Sequence, residues 1–356
     1  MRTVTMAAVF TAVAYVVFAQ GPTAPAVPPA PAGPPPTGLV VGSGNFFSPI
    51  TADLEKAAAF YRDGLGLDVQ GAPANADANP ALRNMFGLPD AQLRWLIGRP
   101  GGMRTGVEMV EITKAGGKPL ERRLQDGGAF MLVAIVRDID APFARLKQLG
   151  APVVTRGGAP IPVPGGARKS RAVIVKDPDG HFVELFQPDP VPESPSGSTS
   201  NIIEVRVRLT VTDGDQAARL YRDALGLQVR AAGEFRADRA VLDMMGLSGG
   251  EYRAAMFTVP TTGLTFELMD FRGVERRPVR GNIQDPGSTR IQLQVRDVDA
   301  AIAALRQAGG AVVSSGGTTV ELPGRGGATT KVAIVRDPDN LFLVLLQAAP
   351  AAPRNP

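Results

Sequence analysis

The chain contains no cysteine and a single histidine, His181. The first absence excludes disulfides, thiolate metal sites and cysteine nucleophiles. The second excludes a metal site with two or three histidines from one subunit. It also leaves one residue that a Ser-His-Asp triad could use. Charge of one sign is scarce too: 38 Lys and Arg stand against 34 Asp and Glu, a net +4 with no basic run. So mild an excess gives no reason to expect nucleic-acid binding. Hydrophobic residues make up 44% of the 356 and charged residues 20%, the balance of a globular protein of two or three domains.

The long apolar run is at the N-terminus. One Arg precedes the stretch Val4–Phe18, and Val17 and Ala19 stand where a signal peptidase reads small side chains. This pattern predicts a signal peptide over residues 1–19, cut before Gln20, and a periplasmic or secreted protein. The run is shorter than the roughly 20 residues of a spanning helix. No Cys follows to carry a lipid, so no stable membrane anchor is expected after cleavage. Residues 20–39 are Pro-rich and read as an extended tether.

Beyond the tether the sequence repeats itself. FYRDGLGLDV at Phe60–Val69 matches LYRDALGLQV at Leu220–Val229, and VRDIDAPFARLKQLGAPVV at Val136–Val154 matches VRDVDAAIAALRQAGGAVV at Val295–Val313. The offset is about 160 residues throughout. Two homologous domains are therefore expected at 40–188 and 201–348, with a linker at 189–200 and a tail at 349–356. Each domain divides again. Every half opens with a strand and an Asp-containing turn, then a helix: Asp53 precedes LEKAAAFYRDGLGL, Asp138 or Asp140 starts PFARLKQLG, and Asp213 and Asp297 start the other two. A carboxylate there satisfies free N–H groups of the first turn. Gly64, Gly66 and Gly150 stop the helices. Three strand-like runs follow each helix, so the fold class is α+β, built from four βαβββ units.

At this point the residues resemble a known family. A strand, then D-x-x-x-A-x-x-F/L-Y-R-D-x-L-G-L, then Asp177-Pro178-Asp179-Gly180 followed by HFVEL, is similar to the vicinal oxygen chelate superfamily of glyoxalase I, bleomycin-resistance proteins and extradiol dioxygenases. The resemblance implies that βαβββ units pair into two tandem cup-shaped domains, with ligands or a divalent metal inside each cup. It also implies four ligand positions per cup. Aligned on the Asp after each first strand, these fall on Phe46, Glu111, Met131 and Glu184 in the first domain. In the second they fall on Arg206, Glu267, Arg290 and Val344. Alternation supports Arg206 and Arg290: in NIIEVRVRLTV and STRIQLQVRD the apolar residues share one face, and the Arg residues lie on the other.

The ligand set is depleted. Phe46 and Met131 do not suit hard or borderline divalent metals, so Glu111 and Glu184 remain as candidate metal ligands, holding at most a weak divalent ion. No tightly bound cofactor is expected. The implied iron site of an extradiol dioxygenase needs two His and a Glu, which argues against that activity. Three functions stay open. One is a metal-independent small-molecule-binding protein, using Phe46, Met131, Arg206, Glu267 and Arg290. A second is a glyoxalase-like lyase or isomerase with Glu184 and Glu111 as catalytic carboxylates. The third is a structural envelope protein with closed cups. Packing of the domains on each other or as a homodimer is expected. A pocket lined by buried acids favours the first two functions, and a filled cup favours the third.

Overall fold

The computed structural model describes residues 38–347, apart from 78, 165–169, 195–197, 278 and 324–328. The expected signal peptide, most of the tether and the tail at 349–356 lie outside the described residues. The four βαβββ units are present. Their long strands are β1 (Ser48–Thr51), β2 (Gln92–Arg99) and β3 (Val107–Thr113) in the first, and β4 (Phe130–Val136), β5 (Arg171–Lys176) and β6 (Phe182–Gln187) in the second. The third holds β7 (Ile202–Thr210), β8 (Glu251–Thr258) and β9 (Thr265–Arg272), and the fourth β10 (Thr289–Val295), β11 (Thr329–Arg336) and β12 (Phe342–Gln347). The helices are α1 (Leu54–Ala59), α2 (Pro80–Met85), α3 (Asp140–Gln148), α4 (Gly214–Arg219), α5 (Arg239–Met244) and α6 (Val298–Gln307).

The Asp caps form where the sequence places them. Asp53 Oδ1 accepts from Lys56 N at 3.0 Å, Asp213 Oδ1 from Gln216 N at 2.9 Å, and Asp297 Oδ1 from Ala300 N at 3.0 Å. At α3, Asp138 does the accepting, from Asp140 N at 2.9 Å. The segments after α1 and α4 do not stay α-helical. Both widen into a π turn, at Phe60–Gly64 and Leu220–Ala224. Buried within those turns, Tyr61 and Tyr221 each reach a carboxylate of the Asp-Pro-Asp turns: Tyr61 donates to Asp177 and Tyr221 to Asp337, both at 2.9 Å.

The strands form two sheets. One has the core order β11-β12-β10-β1-β3-β2 and the other β8-β9-β7-β4-β6-β5. The units do not pair in sequence order. The first unit pairs with the fourth, through antiparallel β1 and β10 (Arg290 opposite Ser48). The second pairs with the third, through antiparallel β4 and β7 (Arg208 opposite Met131). The geometric reason is that each first strand offers one free edge to a like strand running the other way, and sequence order does not dictate which one fills it. One continuous buried cluster joins the helix-facing sides of both sheets, with Leu54, Tyr61, Leu146, Tyr221, Val298 and Leu305 among its helical members.

Candidate functional site

The face of each sheet turned away from the main helices is the cup face, and both are covered. In the sheet of units two and three, Val241, Leu242, Met244 and Met245 of α5 and its end join Met131, Val133, Ile135 and Phe186 in one buried cluster. In the sheet of units one and four, Met85 and Phe86 join Ile50, Val110, Ile334 and Val344. Each covering helix comes from the unit across the sheet and is pinned by a hydroxyl. Thr155 Oγ1 donates to Met244 O at 2.8 Å, and Ser314 Oγ donates to Met85 O at 2.7 Å. Glycine ends both helices for a steric reason. Gly87 and Gly246 have φ of 68° and 72°, and a Cβ there would stand 2.2 Å from Val313 O and 2.6 Å from Val154 O.

A buried ion triad lies on the floor of the second-and-third-unit cup. Arg208 donates from Nη1 to Glu184 Oε2 and from Nε to Glu267 Oε2, each at 2.6 Å. The three side chains are 0–3% exposed. Glu184 Oε1 and Arg208 Nη2 are buried without a partner. Burial lifts the pKa of Glu184, opposed by the charge of Arg208 and reinforced by that of Glu267. Burial works against the charge of Arg208, but the two carboxylates more than offset it and hold the guanidinium firmly protonated. Nearer the edge, Arg206 donates to Glu204 at 2.6 Å.

The first-and-fourth-unit cup differs. Glu108 Oε2 accepts from Arg290 Nη2 at 3.1 Å, from Gln292 Nε2 at 2.8 Å and from Ser48 Oγ at 3.3 Å. The Arg290 guanidinium lies 4.6 Å from the Phe86 ring centroid, a cation–π contact. Its Nε is buried without a partner, and burial, opposed by Glu108, lowers its pKa. Glu108 keeps 16% of its side chain exposed. Gln292 is held in turn by Asn45 N, which donates to its Oε1 at 3.0 Å. Gly44 leaves room for it, since a Cβ there would fall 2.2 Å from that oxygen.

The expected site residues thus divide between two sheets. Met131, Glu184 and Glu267 lie on one cup face, with Arg206 toward its edge. Arg290 and Val344 lie on the other. Phe46 and Glu111 are on neither floor. Phe46 is buried in the helix-side core. Glu111 sits at the start of α1, where Oε1 accepts from Leu54 N at 3.2 Å and Oε2 from Arg94 Nε at 2.8 Å. Strand alternation explains the correction, because Glu108 shares a face with Val110 and Ile112, whereas Glu111 shares one with Val107 and Met109. Glu184 and Glu111 therefore lie in different sheets. Sequence reading preferred Glu111 to its competitor Glu108 in GVEMVEIT and did not single out Ser48, Gln292 or the bridging role of Arg208. The repeat offset held the signal: Glu108 lies 159 positions before Glu267 and Glu111 lies 159 before Asp270. Asp270 plays the part of Glu111, accepting from Gly214 N at 3.2 Å and from Arg253 Nε at 3.2 Å.

A divalent metal of the kind the fold implies does not fit this donor set. Among the described residues no three of His, Cys, Asp and Glu stand together as a metal group. Where two carboxylates do converge, a guanidinium already lies between them. His181 is not available either. It is buried, with Nδ1 2.9 Å from Asp177 Oδ2 and Nε2 3.0 Å from Ser288 O.

Comparison with known proteins agrees with this architecture. The sequence profile of the Glyoxalase/Bleomycin resistance protein/Dioxygenase superfamily matches residues 47–185 and 205–345. Among solved structures, glyoxalase I from Zea mays is 20% identical, with 85% of this chain and 92% of that one covered and a TM-score of 0.55. A point mutant of the same enzyme is 19% identical, with 86% and 94% covered and a TM-score of 0.55. At these identities the likeness is one of fold. No match was found among curated proteins.

Proposed function

The chain belongs to the Glyoxalase/Bleomycin resistance protein/Dioxygenase superfamily, and from that premise we propose that it is an exported, metal-independent member that binds a small molecule in the cup of its first and fourth units. The observation that carries this reading is the contrast between the two floors. Arg208 bridges Glu184 and Glu267 and all three are sealed beneath α5, so that cup serves as a polar core. Both floors keep a buried polar atom without a partner, but in the other Glu108 keeps 16% of its side chain exposed and so remains reachable beside Arg290. A ligand offering an acceptor to Arg290 and a donor to Glu108 would complete both groups, since leaving buried polar groups unpaired is unfavourable. Phe86 and Val344 supply its apolar wall.

The cup of units two and three fits the structural role, and in the cup of units one and four the cover of Met85 and Phe86 has to shift for a ligand to enter. A glyoxalase-like activity finds less support, because Glu184 is buried under Arg208 and Glu111 faces the helices. Export rests on the sequence of residues 1–19, and N-terminal sequencing of the native protein tests it. A start at Gln20 in an extracytoplasmic fraction is expected, and an intact Met1 in the cytoplasm would sink the idea. For binding, the test is thermal-shift screening of the full protein against small polar aromatic compounds, repeated with Glu108→Gln and Arg290→Lys. Hits that lose about tenfold in affinity in both variants, the scale of one charge-assisted hydrogen bond, support the reading. Hits indifferent to both variants would refute it.

A further inference from the structure

Away from both cups, α4, the Asp-Pro-Asp-Asn turn at 337–340 and the segment after β9 enclose a cavity of about 520 Å³. Its floor is apolar, from Ala217, Leu220, Val279 and Pro338, and Arg276, Arg277 and Arg280 stand around it. Its two acids are occupied. Asp213 caps α4, and Asp339 Oδ1 accepts from Thr212 N at 2.7 Å. Arg276 is spent on carbonyls, donating to Gln125 O at 2.9 Å, Thr212 O at 3.1 Å and Phe271 O at 3.2 Å. The other two guanidiniums are not so committed. Arg277 meets the exposed Glu275 at 3.2 Å, a contact of little strength in water. Arg280 is exposed and makes no ion pair among the described residues.

The internal repeat shows which of these arginines the fold accepts replacing. Lys118 N donates to Asp285 Oδ1 at 2.8 Å, and Arg277 N donates to Asp126 Oδ1 at 2.8 Å. Those matched bonds fix Lys118 as the counterpart of Arg277. Gly117 then stands for Arg276 and Glu121 for Arg280. At equivalent places in one fold, one copy has a glycine, a lysine and an acid where the other has three arginines beside an apolar hollow. Arg276 holds backbone carbonyls in this copy, whereas the exposed Arg280 has no such task.

We infer that this cavity is a second binding site, distinct from the cups, for a small amphiphilic carboxylate whose apolar body lies on Leu220 and Val279 and whose charged end meets Arg277 and Arg280. A guanidinium fork suits a carboxylate, and the apolar floor supplies burial that a free inorganic anion would not use. The pocket volume lies in the range of small-molecule sites.

The test is calorimetric titration of the full protein with octanoate, and with octanamide as its uncharged analogue. Octanoate should bind, octanamide at least about tenfold more weakly, the loss expected for one charged contact. Arg280→Glu installs the residue of the other repeat at an exposed position, and should weaken octanoate by at least about tenfold without lowering Tm. Gln216→Trp, which fills the cavity from its exposed rim, should abolish binding. Absence of octanoate binding to the wild-type protein would overturn the inference. So would affinity unchanged in both variants, or binding that instead follows Arg290→Lys in the cup.

Discussion

Asp177 and His181 share a buried hydrogen bond of 2.9 Å inside the Asp-Pro-Asp-Gly turn, whereas Asp337, at the matching place of the other repeat, faces Leu341. Each Asp also accepts a hydrogen bond from the tyrosine hydroxyl of its partner π turn. The two copies therefore solve one problem, a buried carboxylate, in different ways. The first supplies a titratable partner. The second leaves the carboxyl to gain a proton.

His181→Leu, which copies the second turn into the first, should destabilise the protein by about 1–3 kcal/mol, the cost of leaving buried polar groups unmet. Burial opposes the charge of His181, but Asp177 and Ser288 O together raise its pKa above the ordinary value. A raised folded pKa gives stability that is complete below the unfolded value, near 6.5, and is lost as pH rises through the folded value. Urea denaturation across pH should thus show the widest gap between wild type and variant at acid pH. A gap that widens with rising pH would contradict the assignment.

Asp337 gives a mirror-image experiment. Burial, reinforced by the charge of Asp339, pushes its carboxyl up to about 7. Its raised pKa favours the folded state most below the ordinary carboxylate range, and that contribution disappears as pH climbs through about 7. Asp337→Asn keeps the shape and cannot ionise. The stability difference between variant and wild type should therefore shift in the variant's favour between pH 5 and pH 8, roughly one unit or more either side of the pKa. A difference that does not change over that span would show Asp337 to be ionised throughout.

Arg208→Ala should lower stability by about 3–5 kcal/mol, because it leaves two carboxylates buried without their counterion. Replacing the triad together, with Glu184→Leu, Arg208→Met and Glu267→Leu, should recover most of that loss. Guanidinium denaturation of the two variants measures both. Equal losses would mean that Arg208 contributes by packing and not by charge.

Cutting the chain in the linker at 189–200 should not separate its halves. Each half contributes one strand to each of the antiparallel pairs β1–β10 and β4–β7. Gel filtration of the nicked protein is expected to give one peak at the mass of the intact chain, with two bands under denaturing conditions. Two peaks would mean that the units pair within each half.

The repeat, the four units, their Asp caps and the α+β class were all legible, because turn chemistry and helical periodicity are local. The partner of each unit was not. Like strands β1, β4, β7 and β10 carry the same edge, and nothing within ten residues of any of them says which will meet. The site suffered from a smaller ambiguity. GVEMVEIT holds two Glu three residues apart, and three residues change the face of a strand. Only the matching of Glu108 to Glu267 resolves it. Arg206 and Arg208 raised no such difficulty of face, since both point the same way. Register puts Arg206, opposite Val133, in line with Glu184, yet it is Arg208, one step along and opposite Met131, that reaches Glu184 on the diagonal.

The joining of the first unit to the last also sets a timetable on the ribosome. The inner pair can close its sheet as soon as Arg272 has emerged. The first unit, though earliest to leave the exit tunnel, must hold the edge of β1 open until β10 arrives about 240 residues later. An unpaired strand edge is an invitation to wrong partners, and contacts this distant in sequence form slowly. During synthesis the hazard lies with Ser48–Thr51 and their neighbours, so a factor that shields a nascent chain should bind there first.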